Sequence, residues 1–258
     1  MLYSKKILAG ILLAIVTVLS FPQHAKSQKM TEGVKNIVLV HGAFADGSSW
    51  AKVIPILQAK GYNVIAAQNP LTSLADDVAA AKRAIASLDG PVLLVGHSYG
   101  GVVITEAGND PKVVGLVYVC ALVPNDNQSA VDVNAAIPPA PGTSEFKVDA
   151  TNFISLSSKG IHQFFAQDLN REDRDLVFAT QIPWAVRTTT DKISTAAWKK
   201  KPSWFVIGTE DHMVPVTLTR VEAKMINATV LELKSSHVPM LSQPGKVASF
   251  IMSAAQKL

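Results

Sequence analysis

Val92-Leu93-Leu94-Val95-Gly96-His97-Ser98-Tyr99-Gly100-Gly101 is the stretch that decides the fold. Its first four residues are uniformly apolar and read as a buried strand, and Tyr99–Gly108 reads as a helix. Between them, Gly96-x-Ser98-x-Gly100 makes a tight strand-to-helix turn. The glycines are needed because larger residues two positions either side of the serine would collide with the strand or the helix. Such a turn lifts the Ser98 hydroxyl out of the carboxyl edge of a sheet, where ligands of open α/β sheets bind. Ser98 is therefore the candidate nucleophile.

Outward from this stretch, apolar runs alternate with amphipathic ones. Strands are expected at Asn36–Val40, Asn63–Ala67, Val113–Ala121, Trp204–Ile207 and Thr229–Leu233. Helices are expected at Ser48–Lys60, Leu74–Leu88 with Ser73 and Asp76 as its capping box, Val216–Met225 and Lys246–Lys257. The alternation of fully apolar strands with helices implies a mostly parallel sheet covered by helices on both faces. Residues from about 124 to 195 break the rhythm with proline and turn chemistry. They then carry short helical patterns at Ile161–Gln167 and Arg171–Gln181. Because the sheet resumes afterwards, this segment is expected to be a small helical lid inserted into one domain.

A serine hydroxyl needs a base, and the base needs an acid to orient it. His237 follows the strand Thr229–Leu233 in the loop before the last helix, where the chain order Ser…Asp…His puts the base. Asp211, in Gly208-Thr209-Glu210-Asp211-His212 after the strand Trp204–Ile207, is the expected acid. Asp126, just past the strand that ends near Ala121, is its competitor. Acyl transfer also needs donors for the oxyanion. The backbone N–H of Tyr99 at the elbow is one, and that of Ala43, in the loop His41-Gly42-Ala43-Phe44 after the first strand, is the other. Phe44 is expected to wall the pocket, with Phe164, Phe165 and Trp184 supplied by the lid. There is no HExxH, no paired cysteine and no GxGxxG, so neither a metal nor a cofactor is implied.

The chain has 258 residues, 48% of them hydrophobic, enough to bury a full core in one domain. Its formal charge of +4 is concentrated at the start. Without Lys5, Lys6 and Lys26, the 24 basic residues become 21 against 20 acidic ones. No basic run points to nucleic acid; Lys199-Lys200-Lys201 reads as a solvated loop before a strand. Lys5-Lys6, the uncharged run Ile7 to Phe21 and Ala25-Lys26-Ser27 read as a signal peptide over residues 1–27, cleaved near Ser27/Gln28. Residues 28–258 are then an exported domain, periplasmic or secreted. Nothing in it should stay inserted in a membrane. The single cysteine, Cys120, reads as a buried strand residue.

Val38-Leu39-Val40-His41-Gly42-Ala43, Gly96-His97-Ser98-Tyr99-Gly100-Gly101, Gly208-x-x-Asp211 and His237 resemble the motifs of the α/β-hydrolase superfamily. More narrowly, the chain resembles the branch that holds plant hydroxynitrile lyases, salicylate methyl esterases and bacterial esterases, from about Asn36 to the C-terminus. The resemblance implies the α/β-hydrolase fold and a Ser98–His237–Asp211 triad acting on a small-molecule ester. Two positions bear on the reaction. The lyases carry a threonine where this chain has Gly42. They also carry a lysine, which helps hold the cyanide leaving group, where it has Val238. The expectation is therefore ester hydrolysis of small to medium, largely apolar substrates. A lyase on the same site and a non-catalytic ligand-binding relative are the alternatives.

Overall fold

The structure, a computed structural model, describes residues 33–135 and 137–258; the expected leader and its cleavage point lie outside the described residues. Nine strands are described: β1 (Asn36–Val40), β2 (Asn63–Ala67), β3 (Val92–His97), β4 (Val113–Val119), β5 (Phe146–Val148), β6 (Phe153–Leu156), β7 (Trp184–Ala185), β8 (Ser203–Gly208) and β9 (Thr229–Leu233). Six form one parallel sheet in the order β2-β1-β3-β4-β8-β9. Every residue of β1, β3 and β8 is buried, which is why their sequences carry no polar alternation. β2 and β9, at the two margins, are partly exposed.

The order also fixes the layers. The chain winds one way from β1 to β2 and the other way from β2 to β3 onward. Right-handed crossovers therefore put the helix Ile54–Gln58 on the face opposite Leu74–Ala86 and Gly100–Ala107. Leu74–Ala86 and Gly100–Ala107 pack against each other, and Ile54–Gln58 packs against the last helix, Pro244–Gln256. The winding reverses between β1 and β3, so the loops after those two strands flank the crevice where such sheets bind ligands.

Three expectations shift in the structure. The helix expected over Ser48–Lys60 is two pieces, a 3-10 turn Gly47–Trp50 and the helix Ile54–Gln58. Pro55, near the start of the second piece, lacks the N–H that an unbroken helix would need. β4 stops at Val119 rather than Ala121 because Cys120 turns to φ +46 and leaves the pleat. The lid is less helical than expected, since β5, β6 and β7 form a small antiparallel sheet within it. Beside that sheet lie a π-helical turn, Ile161–Phe165, and the helix Arg171–Thr180. No helix among the described residues is long and apolar enough to cross a membrane.

Candidate active site

Ser98 sits at φ +53, a left-handed conformation that costs a non-glycine residue strain and is kept only where the surroundings over-determine it. Here they do. The Ser98 N–H donates to the Val119 carbonyl at 3.1 Å, and the Ser98 carbonyl accepts from Gly101 and Leu122 at 2.9 and 3.2 Å. Close approach explains two glycines. A Cβ on Gly100 would stand 2.7 Å from the Val40 carbonyl oxygen. One on Gly42 would stand 2.7 Å from the Ser98 Cβ and 2.9 Å from the His97 carbonyl oxygen. All three distances are too short for carbon, so the elbow and the loop after β1 touch only because these side chains are missing.

The candidate base and acid come from the loops after β9 and β8. His237 Nδ1 lies 2.7 Å from Asp211 Oδ2, and each side chain is 2% exposed. The other Asp211 oxygen accepts from the N–H groups of Met213 and Val214 at 2.8 and 3.0 Å. The carboxylate is thus held at both ends, and the imidazole Nδ1 donates its proton to it. Asp126 lies elsewhere: its carboxylate pairs with Lys199 at 2.8 Å and accepts from the Ala196 N–H, tying the two ends of the lid together.

Ser98, His237, Ala43 and Tyr99 all line one cavity of about 460 Å³. Among the described residues, neither the Ala43 nor the Tyr99 N–H donates to a protein acceptor, so both remain free for a ligand oxygen. Of the four expected wall residues, Phe44, Phe165 and Trp184 line the cavity and Phe164 does not. Phe164 and Phe165 are consecutive on the π-helical turn and point apart. Phe165 is fully buried against His237, ring centroids 5.1 Å apart, while Phe164 faces His212 at 6.1 Å. Phe146, Met213 and Leu122 also wall the cavity and went unrecognised in the sequence, where each is one apolar residue among many. No Asp, Glu, Lys or Arg among the described residues lines it.

Two further histidines support the site without entering the cavity wall. His97 Nε2 lies 2.8 Å from the His237 carbonyl oxygen. A carbonyl only accepts, so this nitrogen carries the proton, and burial followed by the neighbouring His237 keeps the ring neutral. His41 Nε2 accepts from the Asn69 N–H at 2.9 Å, so its Nδ1 carries the proton that faces the Gly42 carbonyl. Burial lowers its pKa. Behind the elbow, the Tyr99 hydroxyl donates to Asp77, whose carboxyl is pushed up to about 6 by burial. The described residues hold no group of three His, Cys, Asp or Glu placed to bind a metal ion.

Comparison with known proteins bears on the family and the fold. The family model described as the alpha/beta hydrolase family matches residues 37–250. Salicylic acid-binding protein 2 of Nicotiana tabacum is 28% identical over 265 residues, which cover 88% of this chain and 99% of that protein. The pyrethroid hydrolase of Sphingobium wenxiniae is 24% identical over 250 residues, 86% of this chain and 88% of that one. The crystal structure of polyneuridine aldehyde esterase shares the fold, with a TM-score of 0.73 at 24% identity over 86% of this chain and 99% of that chain.

Proposed function

The chain belongs to the alpha/beta hydrolase family, and within it we propose that this protein hydrolyses small to medium, largely apolar carboxylic esters through an acyl-enzyme. The observation that carries the reading is the buried His237–Asp211 pair opening onto the same cavity as Ser98. His237 Nε2 takes the Ser98 proton as Oγ attacks the ester carbonyl. The N–H groups of Ala43 and Tyr99 receive the developing oxyanion. His237 then gives the proton to the departing alcohol, and a water molecule activated by the same imidazole releases the acid.

The uncharged wall of Phe44, Phe146, Phe165 and Trp184 supports an apolar substrate, as does the likeness to a protein named pyrethroid hydrolase. The same wall weighs against cyanohydrin cleavage, because no lysine or arginine among the described residues lines the cavity to hold a leaving anion. A fluorophosphonate probe tests the mechanism: it should label Ser98 in the folded protein, and an unlabelled Ser98 would falsify it. We infer export from the leader read in residues 1–27. Mass spectrometry of the exported protein should find a start near Gln28, and an intact Met1 on it overturns that inference.

A further inference from the structure

The lid touches the two catalytic loops at positions that side-chain chemistry alone does not explain. Gln167 and Asp168 are consecutive lid residues just after the π-helical turn Ile161–Phe165. Gln167 Nε2 donates to the Glu210 carbonyl at 2.6 Å, and Glu210 is the residue before Asp211. The Ser236 N–H donates to Asp168 Oδ2 at 3.0 Å, and Ser236 is the residue before His237. The loops are themselves joined by the Glu210 N–H, which donates to the Ser235 carbonyl at 3.0 Å. These three bonds close a ring: lid, acid loop, base loop and lid again.

The π-helical turn sets the ring up. The Ala166 N–H reaches back five residues to the Ile161 carbonyl at 3.0 Å. This wider winding turns Phe165 inward against His237 and leaves the next residues facing the loops. The segment therefore meets the imidazole with an apolar edge and meets the backbone on either side of the triad with polar groups.

We propose that Gln167 and Asp168 are positioning residues, which keep Asp211 and His237 in register with Ser98 by holding the backbone of the residue that precedes each of them. The proposal rests on the serine-hydrolase reading of those three residues. Neither side chain touches a reacting atom; each acts through the backbone of its neighbour. Small displacements of a base cost rate steeply, so the effect belongs in turnover rather than in substrate binding.

The test compares Asp168→Ala, Asp168→Asn and Gln167→Ala with the wild type on p-nitrophenyl butyrate. In Asp168→Ala, kcat should fall about tenfold while KM and Tm stay near wild type, the scale of one lost hydrogen bond. Asp168→Asn keeps an acceptor for the Ser236 N–H and should restore kcat to within about twofold of wild type. Gln167→Ala, which leaves Asp168 in place, should also lower kcat and carries the test if Asp168→Ala does not fold. Wild-type kcat in both alanine variants overturns the proposal, as does a loss that Asp168→Asn shares in full. A wild type that turns over no ester removes the hydrolase reading instead. The low-field proton of the His237–Asp211 hydrogen bond, observed by NMR, needs no substrate and then decides. Broadening or shift in Asp168→Ala but not in Asp168→Asn supports the clamp, and an unchanged resonance in both overturns it.

Discussion

At the carboxyl edge of the main sheet, β1, β3 and β8 are buried along their whole length, whereas the lid's helix Arg171–Thr180 buries none of its residues. The lid's three strands have only two to four residues each. The edge presents Ser98, Asp211, His237 and the two free N–H groups on the loops that follow β1, β3, β8 and β9. The lid presents mostly walls: Phe146, Phe165 and Trp184. On the proposed reading, the edge carries the reacting groups and the lid most of the wall, with Gln167 and Asp168 joining the two. A buried edge can hold a strained elbow, while the lid combines buried wall residues such as Phe165 and Trp184 with a helix, Arg171–Thr180, that is free of the core.

The sharpest break of this division would come from the edge itself. Ser98→Ala should abolish ester turnover, on the order of 10⁶-fold in kcat by analogy with other serine hydrolases. Asp211→Asn should cost on the order of 10⁴-fold, because the wrong tautomer of His237 is then favoured. Asp126→Asn, which touches only Lys199 and the Ala196 N–H, should leave kcat within about twofold. Steady-state kinetics on one ester series reads all three. If Asp126→Asn proves the damaging change, the acid is misassigned.

Gly42→Ala probes the contact between edge and elbow. The new Cβ must push against the Ser98 Cβ and the His97 carbonyl, displacing the loop that carries the Ala43 N–H. A loss of about 10² to 10³-fold in kcat is expected, the scale of one oxyanion donor. For the lid's wall residues the expected effects are smaller and of another kind. Phe146→Ala removes a wall ring that packs on Phe44 at 5.3 Å. It should raise KM for p-nitrophenyl butyrate about tenfold with kcat nearly unchanged, from the lost apolar contact. A fall in kcat instead would place Phe146 with the edge rather than the wall.

The smallest expected effect concerns the point where the chain leaves the sheet for the lid. There Glu222, on the helix Val216–Met225, reaches the Val123 N–H at 2.6 Å. Burial pushes its carboxyl up to about 8. A raised carboxyl favours the neutral form in the folded state. Its stabilising contribution is therefore full below the usual glutamate range and is lost as pH rises through about 8. Glu222→Gln keeps an acceptor and cannot ionise, so its Tm should gain on that of the wild type as pH rises towards 9. Parallel Tm curves for the two proteins would show that Glu222 does not titrate there.

How much of this the sequence discloses depends on whether a contact leaves a mark at both ends. β1, β2 and β9 are legible to the residue because a buried or margin strand imposes a run of side chains with turn residues at its ends. Ser98 is legible because the elbow constrains its neighbours' size, and Asp211 and His237 because they follow strands in order. Phe164 and Phe165 could not be told apart, since the π-helical turn that separates them has no composition of its own. The lid strands are too short to establish a period. Gln167 and Asp168 are illegible for a different reason. Their partners are backbone groups 43 and 68 residues away, and a backbone group is the same whatever residue bears it.

A cavity walled without a formal charge also treats the two ends of the reaction unequally. A neutral ester enters it by giving up water alone. The acid that the proposed hydrolysis would set free loses its proton at neutral pH, and the anion would meet no charged Lys or Arg on the wall to offset its lost hydration. On the proposed reaction, the apolar wall therefore holds the product less well than the substrate. Accumulated acid would then compete poorly with fresh ester for the same cavity.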